Sequence, residues 1–263
     1  MSGAQGRWPA WSVTWPATTR RPAADERPPV TAEPGLTTTA GGKSPQVRKI
    51  LLIPVCLLLA GCSSQTVMRP IGAQPVGVEG RHAAELDVVG GASSVLVRSA
   101  DLGTALYRAQ DPAQVEVQGD VMRVSVRPGG PGNVVIDLNS AVSWRIALDG
   151  GATEENVDLS GGRLSELDLG AGAGRITAVL PPPRGTVPVR MTGGASSFEV
   201  RLPSQVQARV LFAGGAGEAT IDGAVHTGIA GSTALTTPGW STAANRYSVE
   251  NAAGVSSFTL ARA

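Results

Sequence analysis

The sequence is poor in aromatic side chains, which limits both its core and its function. Phe, Trp and Tyr make up only 4% of the 263 residues, whereas apolar residues as a whole make up 42%. The core must therefore consist mainly of Val, Leu, Ile and Ala, which favours a narrow and regularly stacked interior. The scarcity of rings also argues against the aromatic platforms on which carbohydrate-active enzymes hold sugars.

Lysine is absent from the larger part of the chain. From Cys62 onward there is no lysine, and 15 arginines stand against 18 acidic side chains, a net charge of −3. The positive excess of the whole chain lies in its first 61 residues. Proteins that bind nucleic acids carry a basic excess, so no nucleic-acid partner is expected.

Histidine and cysteine are nearly absent as well. The only histidines are His82 and His226, and there is no Gly-x-Ser-x-Gly motif. The only cysteines are Cys56 and Cys62, and Cys56 lies in an apolar run that is expected to be removed, which leaves Cys62 as the single thiol. A Ser-His-Asp site or a zinc site needs more than this. The sequence predicts no catalytic residue, no metal site, no cofactor and no intrachain disulfide, hence a protein that is not an enzyme.

Four regularly spaced aspartates leave two alternatives open. With a repeat of about 21 residues, Asp137 and Asp158 would stack on one face and Asp149 and Asp168 roughly on another. Such pairs could act as acid and base on a glycosidic bond, or several could hold calcium. The run Asp149-Gly150-Gly151 favours the simpler interpretation, in which these residues lie in turns and on the solvent-facing side of strands.

An export signal precedes Cys62. Arg48-Lys49 is followed by ten apolar residues, Ile50 to Leu59, and then by Ala60-Gly61-Cys62. The apolar run is shorter than the 20 or so residues of a membrane-spanning helix. Leu59-Ala60-Gly61-Cys62 resembles the lipobox of bacterial prolipoproteins. This resemblance implies cleavage between Gly61 and Cys62, lipidation of the Cys62 thiol, and attachment to the extracytoplasmic side of a membrane.

The flanking segments are expected to lie outside the folded domain. Residues 1–46 are rich in Arg, Pro, Thr and Ala without any period, and are expected to be disordered or untranslated, with translation starting at Val47. Residues 47–61 form the signal peptide, residues 62–82 a flexible tether, and residues 83–263 the repeat domain.

A glycine-rich motif recurs through that domain. Glycine corners begin at Gly150, Gly170, Gly193 and Gly214, in steps of 20, 23 and 21 residues. Apolar and polar residues alternate between the corners, as in the segment from Phe198 to Leu202. Period-two alternation predicts strands with one buried face, and a period near 20 predicts a stacked repeat. We therefore expect an all-β, solenoid-like stack with about 21 residues per rung, whose end is covered by the less regular segment Thr236–Arg246.

The repeat also resembles known bacterial families. The segments that carry the resemblance are Val179 to Gly185, Met191 to Phe198 and Arg246 to Val249, within a match from about Glu85 to Leu260. They are similar to "toast-rack" lipoproteins, to the C-terminal domain of the cell-wall-active-antibiotics-response family, and to adhesin-like head domains. The resemblance implies a right-handed β-solenoid-like fold and supplies no catalytic residue.

The functional expectation is a lipid-anchored lipoprotein of the cell envelope. Its non-catalytic repeat domain would serve as a scaffold for contacts with an envelope protein or a cell-wall glycan. One alternative is an envelope-stress sensor that acts through a membrane partner, as the antibiotic-response resemblance implies. Another is a carbohydrate-active enzyme built on a β-helix. The oligomeric state is left open.

Overall fold

The computed structural model describes residues 76–110, 113–126 and 132–263. This part of the chain contains eighteen β-strands and no helix. The strands form two sheets of nine. The predicted signal peptide, Gly61, Cys62 and most of the predicted tether lie outside the described residues. No helix in the described part is long and apolar enough to cross a bilayer.

Neighbouring strands follow a fixed order in each sheet. In the first sheet the order is β16 (Thr233–Thr236), β13 (Gln207–Phe212), β17 (Arg246–Asn251), β11 (Thr186–Met191), β9 (Arg163–Leu169), β7 (Ser143–Leu148), β1 (Ala83–Val89), β5 (Val121–Val126) and β4 (Ala113–Gln118). In the second sheet it is β15 (Ala224–Ile229), β14 (Ala216–Ile221), β18 (Val255–Arg262), β12 (Ala195–Leu202), β10 (Ala173–Val179), β8 (Ala152–Asp158), β2 (Ala92–Ala100), β6 (Asn133–Asn139) and β3 (Tyr107–Ala109).

Each rung consists of one strand from each sheet. A strand of the first sheet passes through a short corner into a strand of the second sheet, and strands of adjacent rungs pair in parallel. Strands β8, β10, β12 and β14 begin at residues 152, 173, 195 and 216, so successive rungs are 21 or 22 residues apart. The predicted all-β, solenoid-like fold class and its rung length are confirmed, with two strands per rung.

The rungs do not stack in chain order. The first rung, β1 and β2, lies between the rung β5–β6 and the rung β7–β8. The last rung, β17 and β18, lies between β11–β12 and β13–β14. Both terminal rungs therefore have parallel partners on both sides, which pins the two ends of the folded chain inside the stack.

Antiparallel strands cover the two ends of the stack. β4 and β3 lie at one end, and β16 and β15 at the other. Strands β14 and β15 are joined by Asp222-Gly223, whose φ angles of 49° and 86° suit the tight hairpin turn that Asp-Gly favours. The segment Thr236–Arg246, predicted to cover the end, instead leads from β16 back to the interior strand β17; the covering strands are β15 and β16.

Small corners allow the rungs to stack closely. We call the connections from the first sheet to the second the glycine corners; those that contain Gly150 and Gly193 are typical. A Cβ atom on Gly150 would lie 1.9 Å from the carbonyl oxygen of Gly90, and one on Gly193 would lie 2.1 Å from the carbonyl carbon of Ala171. Glycine recurs here because stacked backbones leave no room for a side chain.

The interior between the sheets is filled with side chains. Val, Leu, Ile and Ala alternate inward along the strands as predicted, and the few rings are used as large core residues. Phe258 packs edge-on against Phe198 and Phe212, with ring centroids 5.4 Å apart in both pairs. The polar chemistry of the described domain therefore lies mainly on the outer faces of the sheets and at the corners.

Candidate functional site

The outer face of the first sheet carries short rows of alternating charge. Arg145 on β7 donates to Glu166 on β9 at 2.9 Å and to Glu85 on β1 at 3.0 Å. Because of the hydrogen bond and charge of Glu166, and to a lesser extent the charge of Glu85, the pKa of Arg145 lies above its usual value. Arg190 on β11 likewise pairs with Glu250 on β17, at 3.4 Å. These arginines are neutralised by their neighbours in the sheet.

The predicted stacking of Asp137 on Asp158 is wrong in one respect. The two residues lie in one cross-strand row, but Arg98 of the inserted strand β2 separates them. Arg98 donates to Asp137, and Arg108 lies 3.8 Å from the same carboxylate. Asp158 instead accepts hydrogen bonds from the backbone and hydroxyl of Ser160. An acid–base pair of these two aspartates is therefore not formed.

Asp149 and Asp168 do come close to each other, near a glycine corner. Burial raises the pKa of Asp149 above its usual value, with smaller contributions from the charges of Asp87 and Asp168. One carboxylate oxygen of Asp87 and one of Asp168 are buried without a hydrogen-bond partner. Nevertheless, no group of three metal-ligating side chains in the described residues is arranged to hold a metal ion.

The two histidines are far apart in the fold. His82 is exposed just before β1, whereas His226 is exposed on β15 at one end of the stack. An open groove of about 520 Å³ lies near that end, over the glycine corners that contain Gly214 and Gly254. None of the residues that line it is ionisable. Neither the histidines nor the groove forms a catalytic arrangement within the described part of the chain.

A buried carboxylate was not anticipated from the sequence. Glu155 on β8 has no exposed surface, and its cross-strand neighbours are Val95 and Ile176. Neither of its carboxylate oxygens has a hydrogen-bond partner, and burial raises its pKa to about 7. The alternation with inward-facing Val157 was the signal that could have placed Glu155 inside.

Four arginines without an ion pair lie on adjacent strands, at or near one long edge of the stack. Arg163 begins β9, Arg184 lies two residues before β11, Arg246 begins β17, and Arg209 is the third residue of β13. These four strands are adjacent, in this order, in the first sheet. Within the residues that the structure describes, no carboxylate forms an ion pair with any of the four. We call these four residues the arginine line.

Trp240 lies among the arginines at one end of this line. The guanidinium carbon of Arg246 is 4.4 Å from the ring centroid of Trp240, and that of Arg209 is 5.8 Å from it. The indole nitrogen donates to the carbonyl oxygen of Tyr247 at 3.1 Å. The arginine line was missed in the sequence because its members are more than 80 residues apart at the extremes and share no motif.

Comparisons with known proteins support the fold. No protein-family model matches the chain, and no curated protein matches its sequence. The chain is similar to the solved structure of a putative cell adhesion protein from Clostridium sporogenes ATCC 15579, with a TM-score of 0.58 and 19% identity over 72% of this chain and 97% of that one. A putative adhesin from Bacteroides fragilis NCTC 9343 is matched over 75% of this chain and 98% of that one, at 9% identity and a TM-score of 0.19, too low to support an argument. The first likeness shows that the two proteins share a fold.

Proposed function

We propose that the chain is a lipid-anchored protein of the bacterial cell envelope whose repeat domain is a non-catalytic scaffold for contacts with an envelope protein or a cell-wall polymer. The anchor would be a diacylglycerol group carried by the Cys62 thiol, with the chain cleaved between Gly61 and Cys62. Residues 47–61 would be removed, and residues 62–82 would connect the lipid to the stack.

The observation that carries this proposal is the separation between a filled interior and chemically varied outer surfaces. The interior is packed with apolar side chains, so a ligand has no room between the sheets. The outer faces and edges present charged side chains at positions that are set by strand spacing. Extended, rigid surfaces of this kind suit contacts with macromolecules. The fold shared with the putative cell adhesion protein of C. sporogenes agrees with such a role.

The lipid anchor is tested by replacing the thiol. Cells that express the wild type or Cys62→Ser are grown with a labelled fatty acid, and the membrane and soluble fractions are compared. We expect label and membrane association in the wild type and the loss of both in Cys62→Ser, because the substitution removes the thiol that would receive the diacylglycerol group. Cys56→Ser is the matched control and should retain the label.

The opposite outcome is equally informative. If Cys62→Ser remains in the membrane and the wild type takes up no label, the segment Ile50 to Leu59 is not a cleaved lipoprotein signal. The scaffold would then require another means of attachment, and a regulator that acts at the membrane would be the better proposal.

A further inference from the structure

The arginine line differs in its electrostatics from the ion-paired rows on the same outer face. Arg145 and Arg190 form ion pairs with carboxylates in the same sheet, which neutralise their charge. The four arginines of the line have no such partner, although the chain from Cys62 onward is acidic overall. An uncompensated positive strip on an acidic domain requires an explanation, because free arginine charge favours nearby anions.

The strip crosses four consecutive strands. Adjacent strands in a sheet lie about 4.8 Å apart, so the four arginine backbones span roughly 15 Å across the sheet. Arg163, Arg184 and Arg246 lie at or just before the strand starts, whereas Arg209 pairs with Ser248 and so lies two residues further along the strands. Arg184 follows Pro181-Pro182-Pro183, whose restricted backbone holds this corner in place. Tyr247 secures the same corner, since its hydroxyl donates to the carbonyl oxygen of Pro181 at 2.7 Å.

Two of the guanidinium groups are held in position by neutral partners. The Arg246 side chain donates to the hydroxyl of Thr186 at 3.0 Å and to the carbonyl oxygens of Trp240 and Ser241 at 3.0 and 3.3 Å. Arg163 donates to the carbonyl oxygen of Ala141 at 2.8 Å. These oxygens orient the guanidinium groups without neutralising their charge, which lowers the entropic cost of binding an anion.

The charges beside the line favour a chain-like anion over a flat anionic surface. On the rest of the same outer face the charges are paired and leave a small acidic excess, so a flat membrane of anionic lipids gains no attraction there; the charged residues are Glu85, Glu166, Asp168 and Glu250 against Arg145 and Arg190. A flexible polymer can contact the four arginines without covering that part of the face. Arginine is well suited to phosphate because its planar group offers two parallel donors.

We propose that the arginine line, Arg163, Arg184, Arg246 and Arg209, is a docking strip for a linear polymer with closely repeated phosphate groups. This inference names the chemistry of the partner and rests on the proposed scaffold function. It does not depend on the lipid anchor.

The test measures binding of fluorescently labelled linear polyphosphate to the purified full chain carrying Cys62→Ser, so that lipidation cannot contribute. We expect the logarithm of affinity to fall with the logarithm of salt concentration with a slope of about −3, as for four phosphate contacts. The double variant Arg184→Gln/Arg209→Gln should lose about tenfold in affinity at low salt and roughly half of the slope.

Arg175→Gln is the matched control. Arg175 is exposed and has no ion pair among the described residues, but it lies on β10 in the other sheet. Its replacement removes one positive charge, as each substitution of the double variant does, and should change polyphosphate affinity less than twofold. Circular dichroism of all variants excludes unfolding as the cause of any loss.

Two outcomes would overturn the proposal. If Arg175→Gln weakens binding as much as the double variant, or if polyphosphate does not bind, the arginine line is not a docking strip for phosphate polymers. If vesicles of phosphatidylglycerol bind the Cys62→Ser protein and polyphosphate does not, the anionic partner is a lipid surface. Because the fatty-acid experiment is separate, failure here would leave the anchored-scaffold proposal intact.

Discussion

The two long edges of the stack differ in the length of their connections and in how closely their backbones pack. At the glycine corners, from first sheet to second, most connections are two or three residues long, and backbones touch. At the return corners, from second sheet to first, the connections vary in length and include the strands that cover both ends. The return side also carries Pro181 to Pro183, Trp240 and the arginine line. Tight backbone packing forces sequence uniformity at one edge, and its absence permits chemical variety at the other.

The sharpest test of this comparison is an added methyl group at each edge. Gly150→Ala would place a Cβ 1.9 Å from the oxygen of Gly90, so the stacked corners would have to move apart. We expect a loss of about 3 kcal/mol in the free energy of unfolding, measured by urea denaturation. Gly161→Ala, in a return corner, meets only the hydroxyl of Ser99 at 3.6 Å and should change stability by less than about 0.5 kcal/mol. Equal effects at both sites would refute the distinction.

The second prediction concerns the interior between the two edges, where Glu155 is buried. Burial raises the pKa of Glu155 from its usual 4.5 to about 7, so folding favours the protonated form. The free-energy cost of burying the ionised Glu155 carboxylate is absent below pH 4.5, grows between pH 4.5 and 7, and is constant above pH 7. The stability gained by Glu155→Gln should therefore be greater at pH 8 than at pH 4, by up to about 3 kcal/mol.

The control for this pH dependence is the neighbouring residue. Glu154→Gln changes an exposed carboxylate on the same strand, and its effect should be nearly the same at both pH values. None of the inward-facing residues on the surrounding strands is ionisable, so no other titratable group should produce this pH dependence; these strands are β1, β2, β7, β9 and β10. A pH-independent effect of Glu155→Gln would show that the carboxylate reaches water.

The third prediction concerns the return edge and is smaller. Trp240→Ala removes the ring beneath Arg246 and Arg209 and the hydrogen bond to Tyr247. We expect a loss of about 1–2 kcal/mol, expressed as faster hydrogen exchange in residues 237–245 and little change elsewhere. Trp240→Phe keeps a ring and should lose less. Uniformly faster exchange throughout the stack would mean that the return edge is as essential as the glycine edge.

The smallest effect is expected on the outer faces. Arg145→Gln breaks the bridges to Glu85 and Glu166, which should cost about 0.5–1 kcal/mol at low salt and less at high salt, because exposed ion pairs are screened. Arg175→Gln, where no ion pair is broken, should be neutral. A cost that is unchanged by salt would indicate that Arg145 stabilises the sheet by packing.

The sequence was informative wherever a feature depends on nearby residues. Alternation such as Phe198 to Leu202 predicted inward and outward positions correctly, since neighbouring side chains in a strand point to opposite faces. The same rule places Glu155 inside, two residues before inward-facing Val157, but a carboxylate at a buried position is rare and no motif marked it. The covering strands were missed because β15, with exposed side chains at nearly every position, lacks an apolar face.

Features that depend on which rungs are neighbours could not be obtained in this way. Asp137 and Asp158 are 21 residues apart, a spacing that could stack them on one face, yet Arg98 separates them because the first rung is inserted in the stack. The arginine line has the same origin, since the last rung brings Arg246 between Arg184 and Arg209. No residue spacing in the sequence predicts that Arg98 lies between the two aspartates or that the four arginines lie on adjacent strands.

The sequence by itself determined the all-β class, the glycine corners and the rung length of about 21 residues. These follow from side-chain alternation and from the need for small residues where backbones meet, which are properties of short segments. The tertiary structure alone decided the order of the rungs, the burial of Glu155 and the alignment of the four arginines. Parallel strands offer similar backbone hydrogen bonds to any neighbour, so the choice of partner is made only when the side chains of the whole stack pack together.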